Sequence, residues 1–224
     1  MRILRNLGLV AALALAAAWP AASQMGVPLP DFRGVFSPTV GAGAAYQMQG
    51  KSGQQDIEIT VVGKEDVNGK PGFWIEMAMN PSGKGQMYAK TLMVLDGKNS
   101  TIARMIFQMP GQAPMELPAM MMSRGGQTPA PTTTDIRDQA EHVGTEDVTT
   151  PAGTFSCEHY RSKDGGDVWI SSKVTPWGLV KSSSNGQSMT LIRVISDAQD
   201  HITGTPQKFD PSQLMRGRGG QPPQ

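Results

Sequence analysis

The stretch GTEDVTTPAGTFSCEHYRSKDGGDVWISSKVTPWGLVK, residues 144–181, decides the fold. Short runs of β-forming residues are separated in it by Pro151-Ala152-Gly153, by Asp164-Gly165-Gly166, and by Pro176 and Gly178. Proline fixes one turn dihedral and glycine admits positive φ, so each cluster ends a strand and reverses the chain. Within 154–161, Phe155, Cys157 and His159 fall on one side and Ser156, Glu158 and Tyr160 on the other, the period of two that a strand imposes. Strands are therefore expected near 143–149, 154–161, 168–173 and 179–184, and Asn185-Gly186 predicts a hairpin into a further strand over 187–196. Turns this close together make sequential strands antiparallel neighbours.

The same organisation precedes this stretch. A first strand is expected at 45–49, and DIEITVV at 56–62 places Ile57, Ile59 and Val61 on one face against Glu58 and Thr60. Asn68-Gly69 marks a hairpin, because both residues tolerate positive φ. The return strand at 73–80 groups Phe73, Ile75, Met77 and Met79, with Trp74, Glu76 and Ala78 opposite. Beyond a turn at Pro81-Ser82-Gly83 a strand is expected at 87–95, then a turn at Asp96-Gly97, then 101–109 with Ala103, Met105, Phe107 and Met109 aligned.

Composition bounds the rest. The 224-residue chain is 38% hydrophobic but only 6% aromatic, with 26 Gly and 17 Pro, which favours many short strands and turns over long helices. A formal net charge of +1 provides no field for nucleic acid, so no nucleic-acid partner is expected.

Residues 1–23 have the build of a secretory signal peptide: Arg2 and Arg5, an apolar run at 7–19, and Ala21-Ala22-Ser23 for cleavage. The run is shorter than the ~20 apolar residues that span a bilayer, and no later stretch qualifies, so the mature chain is expected to lack a transmembrane segment and to work in a periplasm or outside the cell. No cysteine follows the run to carry a lipid anchor. Residues 24–43, with Pro28, Pro30 and Pro38, read as an extended leader, and 44–197 as the β-rich domain. Inside it, 110–134 is a Met/Pro-rich loop with one short helical turn around 117–122, long enough to be a lid, a binding loop or disordered. Residues 135–142 read as a short helix or an extended approach to the next strand. From 198 to 224 the apolar alternation ends, and Arg216-Gly217-Arg218-Gly219-Gly220 closes a stretch expected to be a disordered tail.

The residues that carry chemistry are sparse. His142, His159 and His201 have no metal-ligand spacing and sit in no catalytic motif, so no enzymatic activity and no cofactor are expected. Cys157 is the only cysteine, which rules out an internal disulfide and makes it a small buried hydrophobe on a strand.

Methionine is the unusual component, 15 residues concentrated between Met77 and Met122. Flexible thioethers suit variable apolar ligands, so the favoured function is binding a lipid, acyl chain or apolar peptide, with an envelope protein as a further possible partner. The candidate contact residues are Met77, Met79, Met105, Phe107, Met109, Met120 and Met121, with Trp74 and Trp169 lining or rimming the site. Two alternatives use the same residues: a structural or interaction module whose methionines fill a core, and a Cu(I)-handling protein, since soft sulfur selects that ion.

Gly144-Thr145-Glu146, Thr150-Pro151-Ala152-Gly153-Thr154-Phe155, Val168-Trp169-Ile170-Ser171 and Gly178-Leu179-Val180-Lys181 follow in an order that resembles uncharacterised bacterial envelope proteins similar to the LolA/LolB lipoprotein-carrier superfamily. The resemblance covers residues 41–196 and rests on turns and strand aromatics. It implies a mainly β fold: a curved antiparallel sheet, a LolA-like half-barrel, with one or two short helices or loops over the concave face. The residues of a lipoprotein-sorting factor have no match here.

Overall fold

In a computed structural model the described residues are 34–51, 53–80, 85–97, 99–117, 132–133, 135–163 and 165–208. The first half of the chain runs through β1 (Gly43–Gly50), β2 (Gly53–Val67), β3 (Lys70–Met79), β4 (Met87–Asp96) and β5 (Asn99–Gln108), each antiparallel to the one before. Short strands β6 (Met115–Glu116) and β7 (Thr132–Thr133) both pair with β5. A second antiparallel meander follows in β8 (Ala140–Thr150), β9 (Gly153–Ser162), β10 (Asp167–Ile170), β11 (Leu179–Ser184) and β12 (Gln187–Ile195). The two meanders join where β1 pairs with β12, and β13 (Gln207–Lys208) adds to β6 in parallel. The result is one open, curved sheet ordered β13-β6-β5-β4-β3-β2-β1-β12-β11-β10-β9-β8. The expected β class and curved antiparallel sheet are borne out, and helix among the described residues is limited to a 3-10 turn, Ile136–Asp138.

Local chemistry explains the turns. Asn68 (φ 56°) with Gly69 (φ 79°), and Asn185 (φ 51°) with Gly186 (φ 75°), place two positive-φ residues in succession, the backbone whose twist matches the flanking strands. The Asp66 carboxylate accepts from the Gly69 N–H at 2.8 Å and closes the first of these turns. The Asp135 side chain caps the 3-10 turn through the Arg137 N–H, so 135–142 is a capped turn followed by strand. The strand expected at 168–173 stops at Ile170, because Ser171 N–H donates to the Gly178 carbonyl and the chain turns.

Two expected boundaries move. Residues 34–37, placed in a leader, are tied to the second meander: Val35 N–H donates to the Trp177 carbonyl, Ser37 N–H to that of Pro176, and Ile136 N–H to that of Gly34. A Cβ at Gly34 would overlap the Trp177 carbonyl, so glycine alone fits. Residues 198–208, placed in a disordered tail, instead cross β3 and β4 and end in β13, with Ile202 3% exposed. The tail assignment failed there because order comes from partners over a hundred residues away, which alternation does not report. The signal peptide, residues 24–33, the turn at 81–83, residues 118–131 and residues 209–224 lie outside the described residues.

Candidate functional site

Because paired residues of an antiparallel sheet point to the same side, the register lays out the apolar face in rows. One row runs Leu191 (β12), Tyr46 (β1), Ile57 (β2), Met79 (β3) and Met87 (β4). The next runs Ala44, Ile59, Met77, Ala89 (β4), Phe107 (β5) and Met115 (β6). A third runs Val61, Ile75, Thr91 and Met105. Strand β2 supplies Ile and Val because its alternating positions are fully enclosed, and the Tyr46 hydroxyl meets its need for a partner at the Leu179 carbonyl, 3.1 Å away.

Burial changes along these rows. Tyr46, Ile57, Ile59 and Val61 are at most 1% exposed, Met77 is 4% and Met79 7%. Met87, Met105, Phe107 and Met115 are only half-buried, and Met109, immediately past β5, is 39% exposed. The apolar face is thus closed at β1–β3 and open toward β5 and β6. The half-buried positions of the open end are Met87, Met105, Phe107 and Met115, with Met109 just beyond, while the methionines of the closed end, Met77, Met79 and Met189, are packed.

Of the sequence-predicted site residues, Met77, Met79, Met105 and Phe107 share this face and Met109 follows directly on it. Met120 and Met121 lie outside the described residues. Trp74 and Trp169 do not join them: register places both on the opposite side of the sheet, so the expectation that they line or rim the methionine site is corrected. A tryptophan sharing a strand with the methionines still faces away when their positions differ by an odd number, as 74 and 77 do, and its N–H drew each ring to a carboxylate.

Each tryptophan anchors a polar network. Trp74 Nε1 donates to Glu65 at 2.9 Å, and its ring lies 5.4 Å from Lys90 Nζ and 5.2 Å from the Arg104 guanidinium. Arg104 donates twice to Glu116 (2.7 and 3.1 Å), and this bidentate contact, ahead of burial, holds the Glu116 carboxyl below its ordinary range. Buried Lys90 donates to both Asp200 oxygens (2.6 and 2.9 Å) and to the Ile202 carbonyl (3.0 Å). Beside it the Glu76 carboxylate meets His201 through the backbone N–H (3.2 Å) and Nδ1 (2.6 Å), while Tyr88 stacks on the His201 ring. Burial raises the Glu76 carboxyl, and the His201 contacts oppose that without cancelling it.

The second network surrounds His159. Its ring stacks on Trp169 with centroids 4.4 Å apart, Nε2 lies 2.9 Å from Asp167 and Nδ1 3.4 Å from Glu146. Trp169 Nε1 donates to Glu146, and Lys181 Nζ sits 5.1 Å from the Trp169 ring. Burial works to raise the Asp167 carboxyl, but hydrogen bonds from His159 and Arg161 prevail and hold it low. Cys157, two residues along the same face, is 0% exposed with its thiol pushed up to about 11 by burial, and it donates to the Phe155 carbonyl. Sequence spacing missed this network because its members lie on four different strands, β8 to β11. The cue available was the exposed-face alternation of Trp169, His159 and Glu146.

An open depression of about 350 Å³ lies between Gly165 and the β11–β12 turn, lined by Ser183, Ser184, Asn185, Gln187 and Ser188 and by none of the apolar rows. No group of His, Cys, Asp and Glu suited to a metal ion occurs among the described residues, and no helix among them is long and apolar enough to cross a membrane.

The chain matches no protein-family model and no curated protein. Among solved structures it is similar to a candidate lipoprotein from Parabacteroides distasonis, at 16% identity and a TM-score of 0.36 over 73% of this chain and 100% of that one. It is also similar to a candidate exported protein with a YmcC-like fold from Bacteroides fragilis, at 16% identity and a TM-score of 0.34 over 73% of this chain and 99% of that one. Likeness at that level assigns the chain to no family.

Proposed function

We propose that this chain is an exported, non-catalytic envelope protein that binds a hydrophobic ligand, a lipid, acyl chain or apolar peptide, on the methionine-rich end of its apolar face. One observation carries the reading: the rows are sealed at β1–β3 and open toward β5 and β6, where Met105, Phe107, Met109 and Met115 are only partly covered. Methionine keeps three rotatable bonds and a polarizable sulfur, so a face built from it adapts to ligands that an Ile/Val face would reject. Size favours a small ligand over a protein domain. From Met105 to Met109 is about 14 Å along a strand and from β4 to β6 about 10 Å across, far below the ~800 Å² per partner of a stable protein interface.

The export reading rests on residues 1–23. The non-catalytic reading rests on how the titratable groups are used. Glu146 and Asp167 both hold His159, Lys90 is held by Asp200 and Glu76 by His201, while the one thiol is buried and protonated. None of these sets pairs an exposed nucleophile with a base.

The full-length mature protein, delipidated, is expected to bind a fluorescent fatty acid saturably, and Phe107→Lys, at a half-buried position, to abolish binding while the melting curve holds. Failure to bind either a fluorescent fatty acid or a lipopeptide, or equal binding by the variant, overturns the reading. The filled β1–β3 section favours a second reading, a structural or interaction module, and that reading stands if neither probe binds.

A further inference from the structure

We propose that the methionines where β3, β4 and the end of β5 meet form a thioether site for a soft monovalent cation, Cu(I). Met79 is the register partner of Met87, and Met77 lies two residues before Met79 on the same face. Tyr88 pairs with Gln108, so Met109, the next residue, falls beside Met87. Same-face partners on adjacent strands have Cβ atoms about 5 Å apart, and the long unbranched methionine side chain lets neighbouring sulfurs converge on one point. Ala89 stands opposite Met77 and leaves room between Met77 and Phe107 for that convergence.

The grouping of these methionines is what singles them out on the face. At the other end of the face Met48 pairs only with Met189, whereas Met77, Met79, Met87 and Met109 stand next to one another across three strands. Exposure gives the cation a route: Met109 is 39% exposed, Met87 half-buried, and Met79 and Met77 are 7% and 4% exposed at the inner end. Ligand type sets the selectivity. Thioethers bind Cu(I) and leave Zn(II), Mg(II) and Ca(II) to imidazole and carboxylate donors, and none of the three rows contains a His, Asp or Glu. His159, His201 and Cys157 are all committed on the opposite side of the sheet.

The test is competition for Cu(I) between the full-length mature protein and bathocuproine disulfonate under reducing, anaerobic conditions, with Zn(II) as control. Expected are one retained equivalent of Cu(I), a copper-edge absorption spectrum showing sulfur scatterers alone, and no retained Zn(II). Leucine preserves apolar volume but removes the sulfur, so Met79→Leu/Met87→Leu/Met109→Leu is expected to lose the copper. Met87→Leu alone, at a half-buried position, serves should the triple variant fail to fold. The site is overturned if the wild type surrenders all its copper to the chelator, or if folded leucine variants retain it. Copper retention is measured without lipid and fatty-acid binding without copper, both on the wild type, so failure of the copper site and failure of hydrophobic-ligand binding give different results.

Discussion

His201 Nδ1 lies 2.6 Å from Oε1 of Glu76, a carboxylate 1% exposed near the end of β3. The two residues are 125 positions apart, and their contact fastens residues 198–208 across the face of the sheet opposite the methionines. Lys90 with Asp200 and the parallel pairing of β13 with β6 complete the attachment.

Glu76 gives this attachment a pH dependence of definite sign. Its carboxyl is raised by burial, so the folded protein holds the Glu76 proton to a higher pH than the unfolded chain does. The contribution to stability is therefore present below the ordinary glutamate range and is lost as pH rises through the raised value. Urea midpoints measured across that window should fall with rising pH in the wild type and fall less in Glu76→Gln. His201→Ala, which removes the contacts that lower Glu76, should steepen the decline.

A chain ending at Asp197 should be less stable than one ending at Lys208 by about 3 kcal/mol, because buried Lys90 and Glu76 each lose the partner that compensates their charge. Equal denaturation midpoints for the two would show that 198–208 contributes nothing to the fold.

Burial along the rows sets the cost of truncating their methionines. Met77→Ala, flanked in register by Ile59 and Ala89, should cost about 3 kcal/mol through the cavity it leaves. Met105→Ala, half-buried, should cost about 1 kcal/mol, since the site is already partly open. Thermal or urea melts of the two variants make the comparison, and a larger loss at Met105 would reverse the assignment of closed and open ends.

Cys157 should resist thiol reagents until the protein unfolds. It is 0% exposed, and its thiol, at about 11, is almost wholly protonated at neutral pH. Labelling with a disulfide reagent should track the unfolded fraction through a denaturant titration. Rapid modification of the native protein would contradict its placement.

Strand and turn chemistry was readable because it is local. Asn68-Gly69 and Asn185-Gly186 adopt the paired positive φ that their residue types permit, and the alternation of Ile57, Ile59 and Val61 fixed which side of β2 is buried. Period two likewise placed Met77 and Met79 together and Trp74 opposite, although the functional grouping then drew Trp74 back to the methionines. Residues 198–208 show the limit. Asp200 and His201 look like solvated polar residues until Lys90 and Glu76 are brought beneath them.

By itself the sequence determined the antiparallel meanders, the positions of most reversals and the face on which each apolar residue falls, because backbone dihedrals and side-chain alternation depend on near neighbours. The tertiary structure decided that β1 closes on β12, that the apolar face is sealed at β2 and open at β5, and that 198–208 packs against β3 and β4. Those outcomes depend on contacts between residues more than a hundred positions apart, whose free energy exists only once the sheet has assembled.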